Sequence, residues 1–221
     1  MTQTDTLLDR LEYGGSTAVT PTVLTSLQEA FLLHVPFENL DIHWGRPLSL
    51  RPADLYEKIV ERRRGGFCYE NNLLFAQLLR KLGYAVRLLS ARMRQSDGEG
   101  FGPVYDHMAL MVRLDRDYLV DVGNGRSFRR TLPLDGAAED TAEGFRYRVQ
   151  PRNGDLALLE RPPDGEWSPR YLFTLHGRRP GDFAAMCRYH QTSPESIFTQ
   201  RVMATLARPD GRVTLRGTRL E

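Results

Sequence analysis

The stretch Arg64-Gly65-Gly66-Phe67-Cys68-Tyr69-Glu70-Asn71 marks the passage from a glycine turn into a helix. Its two glycines let the backbone turn sharply and approach other groups closely. Apolar residues then recur at helical spacing to about Leu82, and Gly83 suits the C′ position that ends a helix. The pattern therefore predicts a helix from about Cys68 to Leu82, with the cysteine in its first turn.

A cysteine in the first turn of a helix can be either a reactive thiol or a buried structural residue. The unpaired amides and the dipole of a helix N-terminus favour negative charge and lower the pKa of a thiol, which suits a reactive Cys68. A free cysteine is also commonly a small buried residue. The local sequence leaves both explanations open.

The residues before this stretch are also predicted to be helical. Thr20 and Pro21 are typical of the N-cap and the first residue of a helix, and Pro36 ends that helix. A shorter helix begins near Pro52 and continues to Ile59.

After Gly83 the apolar residues alternate with polar ones, which is typical of strands. Strands are predicted at about 84–88, 108–114, 118–122, 145–149, 156–159, 170–175 and 212–215, with one further helix at 181–189. Helices followed by strands predict an α+β fold with an antiparallel sheet or barrel and a boundary near Gly83.

His107 and Asp121 are candidates for the base and the orienting carboxylate that cysteine catalysis needs. A three-residue loop at 115–117 would pair Met111 with Asp121 and put His107 and Asp121 on one face of the hairpin. A two-residue loop would put them on opposite faces, so a joint role predicts an odd-length loop. Each residue also has an ordinary explanation, as a hydrogen-bonded histidine and as a cap of the turn at Gly123.

Composition excludes several classes of protein. The chain has 221 residues with 30 basic and 28 acidic side chains, and its arginines are spread out rather than gathered into the basic face that nucleic acid requires. No segment approaches the ~20 apolar residues of a membrane span, and the first residues lack a signal-peptide core, so a cytoplasmic protein is predicted. Two cysteines, Cys68 and Cys187, exclude a disulfide framework, and no cluster has metal-ligand spacing, so no metal is expected.

Six segments share their order and spacing with a known family from about residue 20 onward. They are Val35-Pro36-Phe37-Glu38-Asn39-Leu40, the stretch 64–71, His107-Met108, Asp121-Val122-Gly123-Asn124-Gly125, Gln191-Thr192-Ser193-Pro194-Glu195-Ser196, and Pro209-Asp210-Gly211-Arg212-Val213-Thr214-Leu215. Together they resemble the arylamine N-acetyltransferases, which use acetyl-coenzyme A (acetyl-CoA).

The resemblance implies a three-part organisation with a cysteine-proteinase-like catalytic core. A helical domain at 1–83 would carry the nucleophile, and a β-barrel domain at 84–178 would carry the histidine and aspartate. An abbreviated α/β region at 179–221 would form a lid, because members of the family usually continue for several tens of residues further.

The resemblance also implies a set of site residues. Cys68, His107 and Asp121 would form the catalytic triad, and Arg64 would pair with Glu38 to hold the cysteine loop. CoA would lie near Pro103, Val104, Gly123, Gly125 and Tyr189. The acceptor would meet Phe37, Phe67, Asn124 and Asp106, with Asn124 at a position that is frequently aromatic in the family.

The implied activity is ping-pong transfer of acetyl from acetyl-CoA, through an acetyl-cysteine, to arylamines, arylhydrazines or N-hydroxyarylamines. An amide synthase that closes a polyketide onto its own aromatic amine would share every motif. A transglutaminase- or papain-like hydrolase would share the triad chemistry, and a non-catalytic CoA-binding module would keep the motifs with an unreactive Cys68. The sequence leaves the oligomeric state open.

Overall fold

The computed structural model describes residues 2–95, 98, 100–140 and 143–221. In this part of the chain the α-helices are α1 (Gln3–Arg10), α2 (Pro21–His34), α3 (Leu40–His43), α4 (Pro52–Tyr56), α5 (Cys68–Lys81), α6 (Ala184–Thr192) and α7 (Ile197–Gln200). A π-helical turn, Glu57–Glu61, extends α4, and a 3-10 turn, Pro180–Phe183, precedes α6.

The helix boundaries follow local signals in the sequence. The Thr20 side chain accepts a hydrogen bond from the Val23 amide at 3.2 Å, and Pro21 is the first residue of α2, as predicted. Gly83 follows α5 with φ +100°, a conformation that glycine adopts at little cost.

Twelve strands are described, and they form two antiparallel sheets. They are β1 (Phe37–Glu38), β2 (Ala85–Met93), β3 (His107–Arg113), β4 (Asp117–Val120), β5 (Leu132–Pro133), β6 (Ala137–Asp140), β7 (Phe145–Arg152), β8 (Asp155–Arg161), β9 (Ser168–Phe173), β10 (Met203–Arg208), β11 (Gly211–Arg216) and β12 (Arg219–Leu220). The large sheet has the order β5-β4-β3-β2-β9-β8-β7-β6, and the small one has the order β1-β10-β11-β12.

The large sheet curls into a nearly closed barrel, because its first strand, β5, lies against β6 and β7 at the other edge. Its interior is filled by aliphatic and aromatic side chains that include Leu89, Met111, Phe128, Tyr147 and Tyr171. The predicted α+β fold with an antiparallel barrel is confirmed.

The β3–β4 hairpin has the predicted odd-length loop but a different register. Arg113 pairs with Asp117, so the loop is Leu114-Asp115-Arg116, and Met111 pairs with Leu119 rather than with Asp121. The turn closes one residue earlier than expected, and in this register Arg113 and Asp117 form an ion pair across it. A shift of two positions keeps the same residues on the same face, so His107 and Asp121 still share a face.

The small sheet connects distant parts of the chain. Strand β1 pairs with β10, and Phe37 also forms a bridge with Gly66 in the turn before α5. The C-terminal hairpin therefore lies against the loop that carries Cys68. The division into domains at 83 and 178 stays a prediction.

Candidate active site

The turn before α5 is held against the segment 36–38 by backbone hydrogen bonds. The Gly66 amide donates to the Pro36 carbonyl at 3.2 Å, and the Glu38 amide donates to the Gly66 carbonyl at 3.0 Å. A Cβ atom on Gly65 would overlap the Pro36 carbonyl, so only glycine permits this approach. The result is that Cys68 is fixed, 97% buried, as the first residue of α5.

A cluster of charged side chains lies beneath this turn. Arg64 donates to Glu38 at 2.6 and 3.0 Å, which is the expected pair, and also reaches Asp41 at 3.2 Å. Lys58 bridges Asp41 and Glu70 at 2.8 Å each. Glu70 in turn accepts the Phe67 amide at 3.2 Å, so the cluster is tied to the start of α5.

His107 and Asp121 meet in a buried pair. His107 Nε2 lies 2.8 Å from Asp121 Oδ2, and Asp121 has no exposed surface. Burial acts to raise the pKa of Asp121, but His107 and hydrogen bonds from Asn72 and Gly123 hold that pKa below its usual value. Since the carboxylate is ionised, Nε2 carries the hydrogen, and Nδ1 is left with the lone pair that a base needs.

Asn72 and Gly123 join this pair to Cys68. Asn72 Nδ2 donates to the Met108 carbonyl at 2.6 Å and to Asp121 Oδ1 at 2.9 Å, and its oxygen accepts the Val122 amide at 3.0 Å. A Cβ on Gly123 would lie 2.7 Å from both Cα and the carbonyl oxygen of Cys68. The loop after β4 therefore packs directly on the cysteine backbone. Sequence reasoning missed Asn72, although it lies four residues after Cys68 on the same helix face.

The protonation of Cys68 is governed by burial more than by the helix N-terminus. Burial raises the pKa of the thiol well above its usual value, and Cys187, Asp106 and Asp121 raise it further, against a hydrogen bond from the Met108 amide. The lowering that a helix start suggests is therefore outweighed. A thiolate forms here most readily when its proton passes to a base beside it, which keeps the net charge of the site constant.

Cys68 and His107 both line a cavity of about 810 Å³ between the barrel, α6, α7 and the small sheet. Arginines at its wall include Arg94, Arg126, Arg170, Arg212 and Arg216. The cavity thus brings a thiol, an imidazole and five arginines into one space, together with the carboxylates of Asp106, Glu143 and Glu195. The excess of arginines over carboxylates in the lining suits an anionic ligand.

Comparisons with known proteins show the family to which this chain belongs. A family model described as N-acetyltransferase matches residues 21–221. The chain is 35% identical to the arylamine N-acetyltransferase pineal gland isozyme NAT-3 of Gallus gallus, over 96% of this chain and 80% of that protein. This chain belongs to the arylamine N-acetyltransferase family.

Solved structures with this fold lead to the same family. The structure of the arylamine N-acetyltransferase of Salmonella typhimurium matches with a TM-score of 0.92 and 29% identity, covering 100% of this chain and 81% of that one. The Mycobacterium marinum enzyme in complex with CoA matches with a TM-score of 0.89 and 35% identity, covering 98% and 81%. The predicted family, fold and enzyme class are confirmed, rather than a transglutaminase- or papain-like hydrolase.

Most of the residues that the family resemblance suggested line the cavity of this arylamine N-acetyltransferase. They are Cys68, His107, Phe37, Pro103, Asp106, Gly123, Asn124, Gly125 and Tyr189. Asp121 lies behind His107. Phe67 and Val104 lie outside the lining: Phe67 is fully buried against Tyr69 and Phe198, and the Val104 side chain is 59% exposed.

Two cavity residues of this arylamine N-acetyltransferase were not anticipated. The first is His190, whose Nε2 lies 3.3 Å from Asp106 Oδ1. Cys187, three residues before His190, is buried, and burial raises its pKa to about 12. The second is Arg170, which donates to the side-chain oxygen of Asn124 at 2.9 Å and fixes the orientation of that amide.

Two features are absent from the part of the chain that the structure describes. No group of three or more His, Cys, Asp or Glu residues among them is placed to hold a metal ion. None of their helices has the length and apolar character needed to cross a membrane.

Proposed function

We propose that this arylamine N-acetyltransferase moves an acetyl group from acetyl-CoA to an arylamine, arylhydrazine or N-hydroxyarylamine through an acetyl-Cys68 intermediate. The observation that carries the proposal is the opening of Cys68 and His107 onto one cavity, with Asp121 fixing the imidazole from behind. The packing of Gly123 on the Cys68 backbone supports it, because it links all three residues rigidly.

In the first half-reaction Cys68 acts as the nucleophile. His107 Nδ1 takes the thiol proton as the sulfur attacks the thioester carbonyl carbon. Backbone amides of the first turn of α5, which have no acceptor within the helix, donate to the oxygen that gains charge. The bond from the acetyl carbon to the CoA sulfur then breaks, and His107 returns its proton to that sulfur.

In the second half-reaction the nucleophilic atom of the acceptor attacks the acetyl-Cys68 carbonyl carbon; this atom is nitrogen in an arylamine or arylhydrazine and the hydroxyl oxygen in an N-hydroxyarylamine. His107 takes a proton from this atom, the carbon–sulfur bond to Cys68 breaks, and the proton passes to the released sulfur. Asp121 stays ionised throughout and stabilises the imidazolium, because its pKa is held low.

The other residues that line the cavity are proposed to contact either CoA or the acceptor. Pro103, Gly123, Gly125 and Tyr189 are proposed to lie against CoA, and the arginine wall supplies positive charge for its phosphates. Phe37, Asn124 and Asp106 are proposed to meet the acceptor. Val104 and Phe67 are left out because neither lines the cavity.

Mass spectrometry after mixing with acetyl-CoA tests the proposal. We expect one added acetyl group on the peptide that contains Cys68, and its loss on addition of aniline or phenylhydrazine with formation of the acetylated product. Cys68→Ala should take up no acetyl group, whereas Cys187→Ala, the matched control, should be labelled normally. Unlabelled wild-type protein would contradict the proposal. Labelling by a carrier-bound acyl group but not by acetyl-CoA would favour the amide synthase alternative.

A further inference from the structure

A second carboxylate–imidazole pair, Asp106 and His190, lies in the same cavity. Asp106 is the residue immediately before the proposed base, His107. His190 Nε2 lies 3.3 Å from Asp106 Oδ1 and 3.2 Å from the Asp106 carbonyl oxygen. Both residues line the cavity beside Cys68 and His107, and both are largely buried, with side chains 6% and 15% exposed. The reactions described above use Cys68, His107 and Asp121 and give His190 no part.

The hydrogen bonds of Ser196 indicate which ring nitrogen of His190 carries the hydrogen. Ser196 Oγ accepts the Phe198 amide at the start of α7, so its hydroxyl hydrogen is available to His190 Nδ1 at 3.2 Å. The other nitrogen, Nε2, then carries the hydrogen and donates to Asp106. Phe198 packs edge-on against the imidazole at 5.0 Å, which holds the ring in place. His190 is therefore a positioning residue for the Asp106 carboxylate.

Asp106 itself has acceptor capacity to spare. Its Oδ2 accepts the Met93 amide at 3.2 Å, and its Oδ1 meets His190. An ionised carboxylate has about four acceptor directions, and these two donors from the described part of the chain use half of them. The other acceptor directions of Asp106 remain for a ligand, because Asp106 lines the cavity.

The position of this carboxylate relative to the nucleophile is fixed through Tyr69. Tyr69 follows Cys68 in α5, and its hydroxyl donates to the carbonyls of Tyr105 at 2.7 Å and Asp106 at 3.2 Å. The peptide that carries Asp106 is thus tied to the helix that carries Cys68. Asp106 lines the cavity onto which Cys68 opens, and its charge acts to raise the pKa of the Cys68 thiol.

We propose that Asp106, held by His190, accepts a hydrogen bond from the second nitrogen of a hydrazine or hydrazide acceptor and so makes this enzyme prefer such acceptors to simple anilines. The proposal rests on the function proposed above. The attacking nitrogen gains positive charge as its bond to the acetyl carbon forms, and the neighbouring N–H becomes a stronger donor. The proton still passes to His107. An aniline has no second nitrogen to offer.

Deacylation of acetyl-Cys68 measures this preference separately from donor binding. Wild type, Asp106→Asn and the exposed-turn control Asp164→Asn are first acetylated with acetyl-CoA and then mixed with phenylhydrazine or aniline. We expect Asp106→Asn to lose about 10- to 100-fold in the second-order rate with phenylhydrazine, the range for a hydrogen bond to a charged group, and little with aniline. Asp164→Asn should match wild type with both acceptors. Equal losses with the two acceptors, or no loss with either, would overturn the proposal.

Variants at His190 test the positioning role and remain informative if Asp106→Asn folds poorly. His190→Gln keeps an N–H donor and should retain most of the preference for phenylhydrazine, whereas His190→Leu should lose it. Thermal melting checks that both are folded. Equal loss in the two variants would overturn the role of the His190 donor. Wild-type protein that forms no acetyl-Cys68 refutes the proposed function, whereas acetylated protein whose preference ignores Asp106 refutes only this inference.

Discussion

Asp121 shows that two explanations for one residue can both hold. Its Oδ1 accepts the Gly123 amide at 3.0 Å and Asn72 at 2.9 Å, so the side chain caps the turn. Its Oδ2 meets His107 at 2.8 Å and the Tyr171 hydroxyl at 3.3 Å. A carboxylate has enough acceptor directions for both tasks. The cap fixes the loop, and the fixed loop orients the imidazole.

Gly123 is the residue on which this arrangement depends most directly. In Gly123→Ala the new Cβ would lie 2.7 Å from the Cys68 backbone and 2.5 Å from Asn72 Nδ2, so the loop has to move away from α5. Small displacements of catalytic groups are costly, and we expect acetylation of Cys68 by acetyl-CoA to slow by about 10- to 100-fold. Rapid-quench measurement of the labelled peptide gives this rate. Gly181→Ala, at a glycine with no atom within 4 Å of its added Cβ, is the control; an unchanged rate in Gly123→Ala would show that the close approach is not needed.

At the scale of elements, the start of α5 is supported by buried charge. Lys58 lies between Asp41 and Glu70, and Glu70 caps the helix through the Phe67 amide. Burial raises the pKa of Glu70 to about 7 even though Lys58 opposes the shift. The ammonium is therefore what allows this carboxylate to be charged under the helix.

Lys58→Met removes that ammonium and leaves Glu70 and Asp41 without it. We expect a loss of about 3 kcal/mol in the free energy of unfolding at pH 8, as for other broken buried pairs. The loss should be smaller at pH 6, because the pKa of Glu70 rises further without Lys58 and the protonated acid needs no partner. Because the pKa of Glu70 is higher in the folded state than in the unfolded state, this group favours folding at low pH. That contribution to the free energy of unfolding is lost as the pH rises through the folded-state pKa.

Urea unfolding at the two pH values tests this expectation. Lys81→Met, at the other lysine of the chain and on the exposed side of α5, should change stability little at either pH. A loss in Lys58→Met that is larger at pH 6 than at pH 8 would contradict the sign derived from Glu70.

Local signals predicted the elements that carry the site but not how those elements meet. Caps and periodicity predicted α2 and α5, and loop parity put His107 and Asp121 on one face. The two-residue strand β1 carries no periodicity, and β10 went unpredicted because its pairing with β1 joins residues far apart in sequence. The Asp106–His190 contact and the burial that raises the pKa of Cys68 likewise arise only when distant elements pack.

At the scale of the molecule, the β10–β11 hairpin connects the helices, the barrel and the loop after β4. It pairs with β1 on one side. On the other, Arg129 donates to the carbonyls of Arg208 and Gly211 at 2.6 Å each and to Glu143 at 2.9 Å. Arg212 within the hairpin donates to the Gly125 carbonyl at 2.8 Å. The hairpin thus forms one wall of the cavity and braces its glycine loop.

Arg129→Leu tests whether the hairpin depends on this brace. The side chain is 5% exposed, and its removal leaves two carbonyls and the Glu143 carboxylate without this donor, so we expect a loss of about 2–4 kcal/mol in unfolding free energy. Amide hydrogen exchange should accelerate in β10 and β11 but not in α5. Arg130→Leu, at the exposed neighbouring arginine, is the matched control. Equal exchange in the two variants would show that the hairpin does not depend on Arg129. If only Arg129→Leu accelerates exchange in the hairpin, acetylation of Cys68 should slow as well, because the hairpin braces the loop that packs on Cys68.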